Sequence, residues 1–592
     1  MPVYRAPVEE TLFILNEVLD LPAFRDLPGF ADLDPDSLEA ILREAARLFE
    51  DVWAPTNQVG DVEGCMRHPD GSVSTPAAFK AAYDAYREGG WLGISAPEEY
   101  GGQGLPGVLN SVVQEFASAA NLSLAMYPGL TQGAIAALFV HGDEEQKRLY
   151  LPPMIEGRWS GTMNLTESHC GTDLGLIRTR ATRNPDGSFA LTGAKTFISA
   201  GEHDLCENVV HLVLARIDGA PPGVKGISLF LAPKFLPKAD GSPGERNEIS
   251  CGAIESKMGI HGSSTCAVNY DGATAWLVGE ENRGLAAMFV MMNEARLAVG
   301  TQGLAISEVA YQNALAYVRE RLQGRALTGP KNPQGPADPL IVHPDVRRTL
   351  MEIKAFNEAA RALMLRGALA ADIVRRSPDP AARQAADDAL GLLTPVIKGA
   401  FTDSGFANAV AAQQMFGGHG YIEDWGMSQF VRDARIAMIY EGANGVQAMD
   451  LVGRKLARDG GRAIMAFFAE VGGYCEAHAD EAGMAEFLTP LAAGLEDLRG
   501  ATVWFMNNAM ANPDNAGAGA VDYMHLFGRV ALGYMWARMA KAALRRPDDP
   551  RMATKLVTGR FFMERMLPET AWRRSRVEIG ADSTMALAED AF

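Results

Sequence analysis

Four short stretches of this sequence carry side chains that could do chemistry. In RDARIAMIYEGANGVQ, residues 432–447, Glu441 follows an apolar run and a tyrosine and precedes Gly442. It is either a surface carboxylate at a helix end or a base held in a dry setting, where lost hydration makes a carboxylate a stronger proton acceptor. MNLTESHCGTDLG, 163–175, holds Glu167 and Asp173 among hydroxyls and glycines. GAKTFISAG, 193–201, carries Phe197 and Ser199. QMFGGHGY, 414–421, offers Gly417, Gly418 and Gly420, which let a backbone come close to a ligand. Each stretch also has a plain reading: loop carboxylates, a core phenylalanine, a helix terminator, a helix-end charge.

Several other chemistries find no support. GQGLPG at 102–107 spells G-x-G-x-x-G, but no strand precedes it and a proline sits inside it, so it reads as a loop rather than a dinucleotide fingerprint. The chain has no H-E-x-x-H, no Walker loop and no G-x-S-x-G. A net charge of −19 disfavours nucleic acid or an anionic membrane as a partner. The six cysteines, Cys65, Cys170, Cys206, Cys251, Cys266 and Cys475, form neither C-x-x-C pairs nor a metal-ligand spacing. They read as reduced thiols of a cytoplasmic protein without a metal. The start, MPVYRAPVEETLFILNEVLDL, is broken by Glu9, Glu10, Asn16 and Glu17 and reads as neither signal nor transit peptide. No run of about 18 apolar residues marks a membrane span.

The elements that must position these residues follow from periodicity. At 592 residues the chain needs more than one core. DSLEAILREAARLFEDVW, 36–53, is helical, with Leu38, Ile41, Leu42, Ala45, Leu48, Phe49 and Val52 on one face and a capping box of Asp36 and Glu39. Helical stretches continue to about 157, interrupted by APEEYGGQGLPG. GSFALTGAKTFISAG, NVVHLVLARID and GISLFLAPK then read as strands, with NPDG as a turn and KADGSPGERNE as a polar loop. Helical periodicity returns from 284, broken by a Pro-rich loop at 329–344. A last helical region carries Tyr523, Phe527, Val530, Ala531 and Tyr534 at helical spacing and is divided by NPDNAGAG. Helical, β, helical, helical is not the alternation of a doubly wound sheet.

Taken together and in this order, MNLTESHCGTDLG, GAKTFISAG, QMFGGHGY and RDARIAMIYEGANGVQ resemble the acyl-CoA dehydrogenase family, over about 36–455. The N-terminal stretch and the extra tail resemble its large bacterial branch, which includes 3-methylmercaptopropionyl-CoA dehydrogenases. The resemblance implies an α+β fold. An N-terminal extension (1–35) would precede an N-terminal helical domain (36–158) and a middle β-barrel or sandwich domain (159–283). A C-terminal four-helix bundle with the base (284–460) and an additional helical domain (461–592) would follow.

It also implies FAD as cofactor and an acyl-CoA as substrate. Met163, Leu165, Thr166, Gly171 and Thr172 would line the flavin, with Thr172 also near the CoA chain. Ser168-His169-Cys170 stands where relatives commonly have Pro-Gly-Ala. Phe197 would stack on the flavin rings, Ile198 would lie beside it, and the Ser199 hydroxyl would bond N5, the hydride acceptor. Arg321, Gln414, Gly417 and Gly418 would reach the FAD of a neighbouring subunit, which requires a homodimer or a dimer of dimers. Asn293, Arg296 and Gly442 would meet the substrate. Ala443 replaces a frequent threonine, and Asn444 would compensate for its hydroxyl. Glu441 would be the base that removes the α proton. An electron-transfer flavoprotein is the implied acceptor. An oxidase using O₂ and a DNA-binding flavoprotein remain as alternatives. The branch suggests 3-methylmercaptopropionyl-CoA as substrate, with short-, medium- and long-chain acyl-CoAs as alternatives. In the tail, ETAWRRSRVE, 569–578, reads as a solvated face packing on a subunit, or else as a membrane contact.

Overall fold

The computed structural model describes residues 2–31, 33–238 and 240–592; Met1 and Asp32 of the expected N-terminal extension and Ala239 of the polar loop lie outside the described residues. The chain packs into two compact units, Met1–Glu44 with Val299–Phe592, and Ala45–Ala298.

The first long helix, α1 (Pro35–Arg47), and the turns that continue it to Trp53 bury Leu38, Leu42, Ala45 and Phe49 of the expected apolar face; Ile41 and Leu48 are half-buried and Val52 is exposed. Its cap differs from the sequence reading. Asp34, not Asp36, accepts the backbone N–H groups of Asp36 and Ser37, both at 2.9 Å, and Glu39 pairs with Arg43 instead. Pro35 explains the shift: it opens the first turn at no cost in hydrogen bonds, so the residue before it becomes the cap.

In the unit Ala45–Ala298, helices α2 (Ala77–Glu88), α3 (Gly107–Ala120), α4 (Leu122–His141) and α5 (Glu144–Ile155) precede the main sheet. GQGLPG is a loop, as expected. A Cβ on Gly102 would sit 2.2 Å from the Ala96 carbonyl oxygen, so only glycine fits the turn. Helix α4 is the one helix among the described residues long and apolar enough to cross a membrane, with a mean hydropathy of 1.3 over its most apolar window. Ser123, Thr131 and Gln132 interrupt its apolar run. Most of that window is buried within the protein, as befits a core helix.

The strands of the main sheet are β1 (Trp159–Asn164), β2 (Arg180–Arg183), β3 (Phe189–Ser199), β4 (Asn208–Ile217), β5 (Ser228–Pro233), β6 (Ile249–Ile254) and β7 (Thr265–Val278). Two short antiparallel pairs lie apart from it, Met66–Arg67 with Val73–Ser74 and Phe235–Pro237 with Pro243–Arg246, so part of the expected polar loop KADGSPGERNE is a strand. β4 pairs with β5, β5 with β7, β7 with β3, β3 with β2, and β2 back with β4. The ring closes, so of the two expected forms this is a barrel, with β1 added on β4 and β6 on β7. Register shifts in β7, between Cys266 and Val268 and between Asp271 and Ala273, let one strand bend to serve both neighbours. Phe189, Leu191, Ile198, Val213, Phe230 and Val268 fill the interior. No disulfide joins any of the six cysteines.

Two histidines are locked neutral in this unit. His203 accepts the Leu205 N–H at Nδ1 (3.2 Å), which leaves the proton on Nε2 to donate to Ser160 Oγ (2.8 Å). Burial, and secondarily the nearby Lys234, push both His203 and His211 down to about 3.

In the other unit, α6 (Gly284–Glu320, from Val299 onward), α7 (Pro344–Arg376) and α8 (Pro380–Met415) form a bundle with the short pair α9 (Met427–Arg435) and α10 (Asn444–Asp450). Gly303 and Gly405 let α6 and α8 touch: a Cβ on Gly405 would lie 2.2 Å from the Gly303 carbonyl oxygen. Beside them a buried polar seam joins Asn408 to Ser307, Ser307 to Asn357, and Glu308 to Asn357 and Arg361.

The tail adds α11 (Arg462–Ala477), α12 (Ala485–Asn508), α13 (Asp514–Leu544), α14 (Pro550–Arg565) and α15 (Glu569–Glu578). Tyr523, Phe527, Val530, Ala531 and Tyr534 are all buried on α13. NPDNAGAG is not a loop throughout, because α13 already starts at Asp514. Its small residues permit close packing, with a Cβ on Gly519 only 3.0 Å from the Phe505 ring. The N-terminal stretch lies on this tail. Arg538 donates to the Val18 carbonyl (2.5 Å), and Lys555 pairs with Glu10 and Glu358. On α15, Arg573 and Arg576 pair with Asp522 and Arg574 with Glu578, so the basic run is neutralised within the chain.

Between pH 6.5 and about 3 the unfolded chain binds protons at His203 and His211 that the folded chain refuses. Their contribution is complete above pH 6.5 and shrinks as pH falls, by up to about 1.4 kcal/mol per pH unit for each histidine. Urea unfolding between pH 6.5 and 5 will therefore show stability falling with pH, and His203→Gln will flatten that slope by about half if each histidine contributes equally.

Candidate active site

Glu441 lies in a tight turn between α9 and α10. Its φ of 56° is left-handed, a rare conformation for a residue with a side chain, and Gly442 follows at 84°. Two neighbours hold the turn. Lys398 on α8, fully buried, donates from Nζ to the Gly442 carbonyl (2.7 Å). Gln447, on α10, donates from Nε2 to the Glu441 carbonyl (3.2 Å). The preceding Tyr440 hydroxyl bonds Gln302. Glu441 is half-buried and the neighbouring Ile439 is exposed, so the carboxylate stands beside open apolar surface.

Asn444 does something other than the sequence suggests. Its Oδ1 accepts from Lys398 Nζ (2.8 Å), and its Nδ2 donates to Asp403 (2.7 Å) and Thr402 (2.9 Å). The side chain is spent inside the bundle, so it cannot supply the hydroxyl that Ala443 lacks. Ala443 itself is exposed.

In the same unit, Arg321, Gln414, Gly417 and Gly418 line one cavity of about 760 Å³, together with Tyr317 and His419. Arg321 is therefore brought to the Gln414–Gly418 stretch, which begins 93 residues later. Gly417 has a φ of 57°, and neither it nor Gly418 has any atom within 4 Å of where a Cβ would stand, so bare backbone faces the opening. Tyr317 stacks on Phe416 (4.1 Å) and donates to or accepts from His419 Nδ1 (2.9 Å). The sequence reading missed Tyr317, although it stands one helical turn before Arg321. Behind the opening, buried Asp338 accepts the backbone N–H groups of Ala326, Lys331 and Asn332 and fixes the 321–340 loop. Burial would raise the Asp338 carboxyl, but these donors and Arg325 hold it at about 2.

The barrel unit positions the other expected residues. Glu167 is no idle loop carboxylate. Its Oε1 accepts from Lys195 Nζ (2.9 Å) and from the Thr179 hydroxyl (2.7 Å) and N–H (3.0 Å), while Oε2 accepts the Arg178 N–H (2.7 Å). Burial opposes its charge, but Lys195 and Thr179 more than offset this and keep its carboxyl below the ordinary value. Lys195 also donates to the Leu165 carbonyl (3.0 Å), and the Thr196 N–H to the Thr166 carbonyl (2.9 Å). This buried pair ties 163–172 to β3. Glu167 also lies near His169 and Cys170, with potential ligand atoms within 4.8 Å. Both Glu167 oxygens are already engaged, and His169 bonds the Leu176 carbonyl.

Phe197, at a φ of 58°, is turned out and 64% exposed, a flat apolar surface for a ring to lie on. Ile198 is a correction in part: its side chain fills the barrel core, which leaves only its backbone for a ligand. Leu165 is likewise buried, while Thr166, Met163 and Ser199 are half-buried and Gly171 and Thr172 exposed. Asp173 caps its own loop by accepting the Gly175 N–H (3.0 Å), which is the plain reading. Asn293 and Arg296 sit on one face of α6, with Arg296 donating to Asn293 Oδ1 (3.2 Å).

Comparison with known proteins decides the family. Family models described as acyl-CoA dehydrogenase N-terminal, middle and C-terminal domains match residues 36–158, 162–273 and 282–456. The chain belongs to the acyl-CoA dehydrogenase family. A further model, "Acetyl-CoA dehydrogenase C-terminal like", matches 467–588. The chain is 40% identical to the 3-methylmercaptopropionyl-CoA dehydrogenase of Ruegeria pomeroyi over 98% of its length and 99% of that protein's. It is 34% identical to the broad-specificity linear acyl-CoA dehydrogenase FadE5 of Mycobacterium tuberculosis, over the whole of both chains. The Caenorhabditis elegans ACDH-11 crystal structure, in complex with C11-CoA, aligns over 98% of this chain and 95% of its own with a TM-score of 0.79; at 18% identity it shows the shared fold.

As a member of this family the protein is an FAD-dependent oxidoreductase. Its residues fit that cofactor. The bare Gly417–Gly418 backbone and Arg321 border one cavity of about 760 Å³, and a guanidinium suits a pyrophosphate. The outward Phe197 ring supplies an apolar platform.

Lys195→Met will leave the buried Glu167 carboxylate without its cation. Loss of one partner of such a pair costs about 3–5 kcal/mol. Urea denaturation will show that loss, and the purified variant will carry less than half the flavin of wild type by absorbance.

Proposed function

We propose that this protein carries out α,β-dehydrogenation of an acyl-CoA thioester with Glu441 as the base. The observation that carries this reading is the Glu441–Gly442 turn: a left-handed carboxylate-bearing residue, its carbonyl and the next both pinned, beside exposed apolar surface. Backbone strain at a non-glycine residue persists where surrounding contacts over-determine it, and such strain clusters at active sites.

In this reading Glu441 removes the α proton of the thioester. Acyl chain packed against the exposed Ile439 excludes water, and a carboxylate stripped of water is a stronger base. Charge then grows on the thioester oxygen, and the backbone N–H of Glu441 is the donor this chain contributes to it. Gly442, without a side chain, leaves room for the substrate. Asn293 and Arg296 meet the CoA portion. Thr166, Gly171, Thr172, Phe197 and Ser199, with backbone from Met163, Leu165 and Ile198, hold FAD. Arg321, Gln414, Gly417 and Gly418 take the adenosine end of the FAD of a second copy, so the enzyme works as a homodimer or a dimer of dimers. Bound FAD supplies the two-electron acceptor for the β hydrogen, and an electron-transfer flavoprotein reoxidises the enzyme.

The division into 1–35, 36–158, 159–283, 284–460 and 461–592 goes with this reading, as does a cytoplasmic location. The relative that shares 40% identity over nearly the whole chain supports a short thioether substrate, 3-methylmercaptopropionyl-CoA. FadE5 supports linear fatty acyl-CoAs as the alternative.

Anaerobic addition of 3-methylmercaptopropionyl-, butyryl-, octanoyl- and palmitoyl-CoA to the yellow protein will bleach the flavin, fastest with the thioether substrate. Glu441→Gln will slow that bleaching by about 10²–10⁴-fold, the range for a positioned base. Flavin that no acyl-CoA bleaches would sink the dehydrogenase reading; a Glu441→Gln variant as fast as wild type would sink the assignment of the base.

A further inference from the structure

The turn at Glu441 is held by a chain of buried contacts that ends in the C-terminal tail. Lys398 Nζ holds the Gly442 carbonyl (2.7 Å) and Asn444 Oδ1 (2.8 Å). Asn444 Nδ2 is fixed by Asp403 Oδ1 (2.7 Å) and Thr402 Oγ1 (2.9 Å). The other Asp403 oxygen, Oδ2, accepts from His525 Nε2 (2.9 Å) on α13. A carboxylate only accepts, so His525 must carry its proton on that nitrogen. Packing fixes the approach of the two helices at the same level. A Cβ on Gly399 of α8 would lie 2.2 Å from the Met524 sulfur, next to His525, and one on Gly528 would lie 3.1 Å from Ala400.

The order of this chain matters. Lys398 is fully buried and Asn444 nearly so. An amide side chain can turn over and exchange its donor and acceptor ends. Asp403, with the more distant Gly399 carbonyl (3.2 Å), demands the donor end of Asn444, which presents Oδ1 to Lys398 and keeps the ammonium aimed at the Gly442 carbonyl. Asp403 is itself on the rim of the bundle, and its second oxygen is held by the tail.

We propose that His525 is a positioning residue for the base: through Asp403, Asn444 and Lys398 it fixes the strained Glu441–Gly442 turn, and this gives the extra C-terminal helical domain a part in the reaction. The inference rests on Glu441 being the base. A group displaced by an ångström loses far more rate than binding, so the effect falls on turnover.

His525→Leu, His525→Gln and Asp403→Ala are compared with wild type and with Glu441→Gln. Deuterium uptake by peptides spanning 438–450 is measured, and so is anaerobic flavin reduction by the acyl-CoA that bleaches wild type fastest. In His525→Leu the 438–450 peptides will exchange at least about threefold faster, while barrel peptides stay unchanged. The limiting reduction rate will fall about tenfold, with half-saturation within about twofold and flavin content retained. His525→Gln keeps a donor and will restore at least half of the rate. Asp403→Ala removes both acceptor oxygens, so Asn444 Nδ2 and His525 Nε2 each lose the partner they have here. It will move both readouts in the same direction, and it decides the matter should His525→Leu fail to fold. Unchanged exchange or an unchanged limiting rate in these variants overturns the proposal. If Glu441→Gln is inert while the His525 and Asp403 variants match wild type, only the positioning role fails. If Glu441→Gln reduces flavin normally, the base assignment fails.

Discussion

The contact on which the Glu441 turn depends is the buried Lys398 ammonium on the Gly442 carbonyl. A fully desolvated cation is costly, and it is tolerated because carbonyl and amide oxygens surround it. That cost is offset by what the contact holds. Glu441 occupies a left-handed conformation that its own side chain disfavours, and neither helix flanking it would impose that geometry alone. The turn breaks the fourth element of the bundle into α9 and α10, and the break delivers a carboxylate to the surface between them.

The barrel half uses the same device with the charges reversed in role. Glu167 gathers donors from Lys195, Arg178 and Thr179, and so joins a loop to β3 at the level of Phe197 and Ser199. In both places a single buried charged side chain organises backbone on two elements. Within its own unit each half is thus set by one ionic side chain and the groups it collects.

The tail is more than an appendix to a bundle. Its central helix α13 packs on α8, and the N-terminal stretch closes over the far side through Val18, Glu10 and Glu17. Glu358, on α7, sits between Lys354 and Lys555. Burial works against its charge, yet the two ammonium groups hold its carboxyl below the ordinary value. First and last segments of the chain therefore share one core with the bundle that carries Glu441.

Local patterning determined much of this protein by itself. Helical period placed Tyr523, Phe527 and Val530 on the buried face of α13, and β-branched runs marked β3, β4 and β5, because both signals live within a few neighbouring residues. Motif order pointed to Glu441 and to the glycines at 417 and 418 for the same reason. Local reading erred where one residue shifts a boundary, as Pro35 moved the cap to Asp34 and small residues in NPDNAGAG joined a helix. What tertiary structure alone decided is which distant groups meet. Barrel closure depends on strands pairing out of sequence order, the inward turn of Asn444 on a lysine 46 residues earlier, and the hold on Asp403 on a histidine 122 residues later. Hydrogen bonds act over about 3 Å, and only the folded chain brings such separations within that reach.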